Sequence, residues 1–212
     1  MDLKLQNVSV VVLSEGNNPK LLSHDFLARN RIIPEDWQIR DIVVTPPFSQ
    51  ILYENGVQFV VEINKLQVKA NNPELLAWEK ELPAMASNYL QLLPHVTYGG
   101  VGINFVYTSE SFPDNPFERL LKEGPWLHKE GGLSGAALEL HYREQAPQFN
   151  LKIEKKSASD PDGNYSPQLV FNVNYHHNFN PDEEQERINY INTIEELKDR
   201  FLNYSYFLPF ND

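Results

Sequence analysis

Cysteine is absent from this sequence, and so is any long hydrophobic run. Without cysteine the protein cannot form disulfides, use a thiolate nucleophile, or hold zinc or iron–sulfur clusters through thiolates. No stretch approaches the roughly 18 consecutive apolar residues of a membrane-spanning helix. The run Val8–Leu13 is too short for the core of a signal peptide. We therefore expect a soluble, cytoplasmic protein without a membrane partner.

Basic residues are also scarce. The chain has 18 lysines and arginines against 29 acidic residues, which gives a formal net charge of -11 at pH 7. The longest basic cluster, Lys152 to Lys156, is interrupted by Ile153 and Glu154, as on the solvated face of a strand. Because nucleic acids bind mainly through phosphate contacts to basic surfaces, we expect no nucleic-acid partner.

The chain does contain enough apolar material for a core. Hydrophobic residues make up 41% of its 212 residues and aromatic residues 12%. This composition is typical of a folded chain that forms one large domain or two small ones. We predict a single domain over residues 1–212, in which 1–109 and 131–212 are two parts joined by a connection at 110–130.

Alternating and continuous apolar runs predict strands. The predicted strands are Leu3–Leu13, Phe48–Tyr53, Val57–Ile63, Leu66–Lys69, Tyr98–Tyr107, Leu133–Tyr142, Gln148–Lys155 and Gln168–Tyr175. Asn55-Gly56, between two of these runs, is the strongest short hairpin signal in the chain. The sequence is therefore rich in strands, and neighbouring strands are joined by short turns.

Capping signals predict the helices. Asn72-Pro73-Glu74 predicts the start of a helix that runs to about Leu93 and is kinked or divided at Pro83. Thr193 and Glu196 predict a capping box for a last helix near the C-terminus.

The two halves share an order of elements, because strands precede a helix in both Phe48–Leu93 and Leu133–Tyr206. Strands that cluster before helices favour an α+β fold over a doubly wound parallel sheet. We predict antiparallel β-meanders with packed helices, arranged as two related strand–helix units around a shared sheet.

Three segments carry a resemblance to known proteins. They are Phe26–Trp37, Thr45–Ile51 with Glu54–Val57, and Leu93–Val96 leading to Val101–Phe105. These segments resemble uncharacterised bacterial proteins, and the order of elements is similar to that of a sporadically distributed bacterial family of unknown function. The resemblance implies no catalytic residues. Its sporadic distribution suggests a role in defence or in mobile-element biology.

The strand Tyr98–Tyr107 is the most unusual element, because Gly100, Gly102 and Asn104 share one of its faces. Glycines in a strand mark a bulge or the close approach of another backbone or a ligand. One interpretation is that the Asn104 amide satisfies backbone groups at a bulge. The other is that the small surface of the glycines admits a ligand that Asn104 binds.

A second polar face belongs to the strand that contains Asn172, Asn174, His176 and Asn178 at alternate positions. Such a face is ordinary for an antiparallel sheet with one side in water, and its alternative role is binding. The candidate ligand-binding residues are Gly100, Gly102, Asn104, Asn174 and His176. A metal shared by His176 and His141 is a further hypothesis, but we predict no metal and no cofactor.

Signals of catalysis are missing. Ser134 lies in Gly132-Leu133-Ser134-Gly135, which lacks the spacing of a nucleophile elbow. Gly99-Gly100-x-Gly102 lacks the lysine of a phosphate-binding loop. Asp160-x-Asp162-x-Asn164 lacks the glycine and glutamate of a calcium loop. We therefore predict no catalytic residues.

The C-terminal segment Tyr204–Phe210 is strongly aromatic. It either docks on the core or forms an interface, for which Tyr206, Phe207 and Phe210 are the candidates. We predict a non-enzymatic interaction or assembly subunit with a protein partner or as a homo-oligomer. The alternative is a small-ligand-binding protein or an enzyme with a site near residues 98–107.

Overall fold

In the computed structural model, residues 1–112, 117, 137–143, 147–159 and 165–208 are described. Several predictions lie outside these residues. They concern Ser134, the loop at 160–164, Phe210 and most of the connection at 110–130.

The described residues form one antiparallel sheet of nine strands. The strands are β1 Lys4–Glu15, β2 Ile39–Val44, β3 Phe48–Tyr53, β4 Val57–Glu62, β5 Lys65–Ala70, β6 Thr97–Ser109, β7 Ala137–Tyr142, β8 Gln148–Ser159 and β9 Tyr165–Asn178. Their order in the sheet is β2-β3-β4-β5-β1-β6-β9-β8-β7. Strand β1 therefore lies at the centre, and β2 and β7 form the two edges.

Four α-helices accompany the sheet in the described part of the chain. They are α1 His24–Arg29, α2 Trp78–Leu92, α3 Glu184–Ile191 and α4 Ile194–Ser205. Trp78 of α2 lies edge-on to Phe105 of β6, with ring centroids 6.1 Å apart. Phe201 of α4 lies 5.1 Å from Tyr107 on the same strand. Because Phe105 and Tyr107 point to the same side, α2 and α4 contact one face of the sheet. The fold is α+β.

Alternation gives the sheet two different faces. On β1, Val8, Val10 and Val12 have no exposed surface and belong to the core that the helices contact. The intervening positions, such as Ser9, point to the other face, because successive side chains of a strand alternate. We call this second face the open face, to distinguish it from the face that α2 and α4 contact. None of the described helices is long and apolar enough to cross a membrane.

The hairpin prediction is confirmed. Strands β3 and β4 pair across Asn55-Gly56, and Gly56 has a φ of +84°, a conformation that favours glycine. The bounds of β3 agree with the prediction.

Two helix predictions are wrong in detail. Asn72-Pro73-Glu74 starts only a 3₁₀ turn, Pro73–Leu75, and the α-helix begins at Trp78. Pro83 lies inside α2 without dividing it. The capping box is absent, because the Thr193 hydroxyl donates to the Tyr190 carbonyl at 2.7 Å and makes no cap hydrogen bond. That the two halves are related units stays a prediction.

Candidate functional site

A row of cross-strand neighbours crosses the whole open face from β2 to β7. Each residue pairs with the next in the register of the sheet, and all but one are polar. From edge to edge the row is Asp41, Leu52, Gln58, Lys69, Ser9, Asn104, Asn174, Asn150 and His141. Burial lowers the pKa of the Lys69 ammonium group in this row.

Half of this row is a continuous chain of side-chain hydrogen bonds. Asn150 donates to Asn174 at 3.0 Å, and Asn174 donates to Asn104 at 2.8 Å. Asn104 in turn donates to the Ser9 hydroxyl at 3.3 Å. At the other end His141 Nδ1 lies 2.6 Å from the Asn150 carbonyl oxygen, to which it donates. The side-chain amides therefore satisfy one another's donors and acceptors. The chain of hydrogen bonds spans five strands and stabilises their register.

The structure brings the predicted ligand-binding residues together on the open face. Gly102 pairs directly with His176, and Asn104 pairs with Asn174. The His176 ring lies over Gly100 and bonds to Asn178 at 2.8 Å. The bare surface of Gly100 is thus occupied by neighbouring side chains. That a ligand binds here stays a prediction.

Alanine substitutions at the two glycines are expected to have opposite effects on stability. A Cβ at Gly100 would lie 3.1 Å from Asn178 Oδ1 and 3.2 Å from the His176 ring, whereas a Cβ at Gly102 would meet Asn174 at an ordinary 3.4 Å. Because glycine weakens a strand interior, Gly102→Ala should raise the free energy of unfolding by about 0.5–1 kcal/mol. Gly100→Ala should lower it by about 1 kcal/mol, because the crowded side chains must move. Urea denaturation measures both changes in the free energy of unfolding. Equal effects of the two substitutions would contradict the expected difference between Gly100 and Gly102.

A shallow depression of about 440 Å³ lies beside the hydrogen-bonded chain, where Asn104, Asn150, Asn172 and Asn174 form much of its lining. The depression offers polar groups, but within the described ranges no three histidine, aspartate or glutamate side chains converge as a metal site. The hypothesis that His141 and His176 share a metal is not supported, since β8 separates their strands.

The edge strand β2 is largely apolar and exposed, in contrast to the polar row on the open face. All six of its residues are exposed, and four of them are the apolar residues Ile39, Ile42, Val43 and Val44, at 38–48%. Ile42 pairs with Ile51 of β3, which has no exposed surface. Ile42 therefore points to the same face as the core but lies beyond the cover that buries its neighbour.

The sequence prediction missed β2. The run Ile39–Val44 is rich in β-branched residues and ends before Thr45-Pro46-Pro47, which is a strand signal. Its charged pair, Arg40 and Asp41, masks the alternation, and a register shift between Ile39 and Asp41 breaks it further.

The C-terminal end is exposed where the structure describes it. Tyr206 is 77% and Phe207 85% exposed just after α4, whereas Leu208 is buried. Phe210 lies outside the described residues. That this end forms an interface stays a prediction.

No protein-family model matches this chain, and no curated protein matches it.

Proposed function

We propose that this protein is a non-enzymatic assembly subunit that associates with a second copy of itself through the edge strand β2. The observation that carries the proposal is the exposed apolar line of Ile42 and Val44, which continues the core face of the sheet past its cover. Burial of such side chains on association is favourable, at about 25 cal/mol for each Å² of apolar surface.

The backbone of β2 supports the same proposal. Strand β2 pairs only with β3 in the described sheet, so its outer edge presents unpaired amide and carbonyl groups. Natural proteins usually protect such edges with charges or prolines. Strand β2 does carry one charged pair, Arg40 and Asp41, but its other four residues are apolar and all six are exposed. This composition is expected for a strand that pairs with another chain.

Symmetry makes a second copy a suitable partner. Two β2 strands can pair antiparallel about a two-fold axis perpendicular to the sheet. This operation keeps the core faces of both copies on the same side, so that the Ile42 and Val44 side chains of one copy meet those of the other. The contact is isologous and closes at two copies, as in most homo-oligomers.

A pair of lysine substitutions tests this interface. Wild-type protein should sediment at twice the 24.5-kDa mass of the chain. Ile42→Lys should yield monomers, because two ammonium groups would be brought together at the paired edges. Ile63→Lys is the matched control, since Ile63 is 54% exposed but lies in the β4–β5 turn. Sedimentation velocity measures the mass of each variant, and a urea denaturation curve shows whether the variant is folded.

Two results would contradict the proposal. One is a wild-type protein that stays monomeric at the highest concentration reached. The other is a dimer that survives Ile42→Lys but is lost in Phe207→Lys, which would place the interface at the aromatic C-terminal end instead.

A further inference from the structure

A cavity of about 550 Å³ lies beside helix α4 at the ends of β7, β8 and β9. Tyr142, Phe149 and Tyr175 are cross-strand neighbours and form one wall. Their rings are nearly parallel, with angles of 19° and 22° between successive planes. Tyr204 of α4 stands edge-on to Phe149 at 78°. The three rings therefore form an aromatic stack along one side of the cavity.

The charged groups at this cavity are cationic. Arg143 and Arg200 line it, and no carboxylate is found among its described lining residues. Neither arginine forms an ion pair within the described parts of the chain. Two guanidinium groups without an ion pair among the described residues thus lie at one cavity of a chain whose net charge is -11. The local field in the cavity thus attracts anions.

The hydroxyl groups of the cavity add donors. The hydroxyls of Tyr142 and Tyr204 lie 2.6 Å apart, so one donates to the other and one proton remains for a further partner. The Tyr175 hydroxyl belongs to a side chain that lines the same cavity and is 1% exposed. Burial raises the pKa of this hydroxyl, which therefore keeps its proton at neutral pH.

These groups share one property, because guanidinium groups and tyrosine hydroxyls all donate hydrogen bonds. A complementary ligand must supply acceptors, and carboxylate or phosphate oxygens are the strongest acceptors for arginine. Aromatic side chains contact a flat apolar ring favourably, either by stacking or edge to face. A volume near 550 Å³ is within the usual range for small-molecule sites.

We propose that this cavity binds a small organic anion in which a flat ring system carries a carboxylate or a phosphate group. The site is independent of the association proposed above, because β7 and β2 are opposite edges of the sheet, about 38 Å apart at the usual strand spacing.

Matched pairs of ligands test the proposal by isothermal titration calorimetry of the full chain. The carboxylate pair is 2-naphthoate and 2-naphthylmethanol, and the phosphate pair is adenosine 5′-monophosphate and adenosine. At least one anion should bind with a stoichiometry of one per chain and at least about tenfold tighter than its neutral counterpart. The anion that binds identifies the carboxylate or the phosphate as the recognised group.

Variants locate the binding. Arg200→Gln should weaken the binding of that anion at least about tenfold, and Tyr175→Phe should weaken it less. Arg29→Gln is the matched control, because Arg29 is an exposed arginine on α1 and should leave the affinity unchanged. The proposal is overturned if both anions bind no better than their neutral counterparts, or if Arg200→Gln and Arg29→Gln have the same affinity.

Discussion

Raising the pH from 9 to 11 is expected to remove most of the folding free energy of this protein. Five tyrosines with at most 5% exposure carry hydroxyls whose pKa is raised by burial. They are Tyr53, Tyr89, Tyr98, Tyr107 and Tyr175. In the unfolded chain the same hydroxyls ionise with a pKa of about 10.

The sign of the effect follows from proton linkage. Each folded-state pKa lies above the unfolded value, so the contribution of each tyrosine to stability is fully present below about pH 10 and is lost as the pH rises above it. Above about pH 10, ionisation of each buried tyrosine lowers the free energy of unfolding by about 1.4 kcal/mol for every pH unit. Together the five tyrosines should lower the free energy of unfolding by about 7 kcal/mol at pH 11, an amount similar to the whole stability of a typical domain.

Urea denaturation at a series of pH values measures this loss, and tyrosinate absorbance follows ionisation directly. Tyr107→Phe is the matched variant, because the Tyr107 hydroxyl is buried and has no hydrogen-bond partner in the described part of the chain. It should remove about one fifth of the alkaline loss and change little at neutral pH. A stability that is constant from pH 9 to 11 would show that these hydroxyls are accessible in the folded protein.

Replacement of Arg187 by leucine is expected to lower the free energy of unfolding by about 3 kcal/mol, or roughly 10 °C in Tm. Arg187 lies on α3 and is only 2% exposed. Its Nη2 atom donates to the carbonyls of Tyr98 and Asn180, each at 3.0 Å, and to that of Pro181 at 3.3 Å. Burial lowers the pKa of this guanidinium group.

These hydrogen bonds connect three parts of the fold. Tyr98 belongs to β6, and Asn180 and Pro181 form the link from β9 to α3. The guanidinium group also lies 5.7 Å from the centre of the Tyr98 ring. Leucine would fill part of the space but would leave a buried carbonyl of Tyr98 without a donor, and such a loss is costly.

Thermal and urea denaturation of Arg187→Leu measure the effect. Arg29→Leu is the control, because the ion pair of Arg29 among the described residues is an exposed contact of 3.8 Å with Asp25, and exposed pairs contribute at most about 1 kcal/mol. Equal stability of the two variants would mean that Arg187 does not hold the β9–α3 link in place.

Local patterns in the sequence predicted much of the sheet. The apolar run Leu3–Leu13 predicted strand β1, and Asn55-Gly56 predicted the hairpin of β3 and β4. These features depend on neighbours in sequence, so short-range rules identify them. The predicted helix start at Asn72 failed because the Asn72 side chain makes no cap hydrogen bond and Pro73–Leu75 is only a 3₁₀ turn.

The candidate sites depend on long-range register instead. Asn104 and Asn174 are 70 residues apart in sequence and meet only because β6 pairs with β9. The contact of Tyr142 with Tyr204 spans 62 residues and requires α4 to pack beside β7. The exposure of β2 likewise follows from its place at the edge of the sheet. No local pattern carries this information.

Hydrogen exchange of the β2 amides tests the central claim of edge-strand association most directly. The backbone amides of Ile39–Val44 that do not face β3 should exchange slowly in concentrated protein and fast after dilution or in Ile42→Lys. This result would show that a second strand protects them, because unpaired edge amides are open to water. Fast exchange of these amides at every concentration, equal in wild type and Ile42→Lys, would contradict the account.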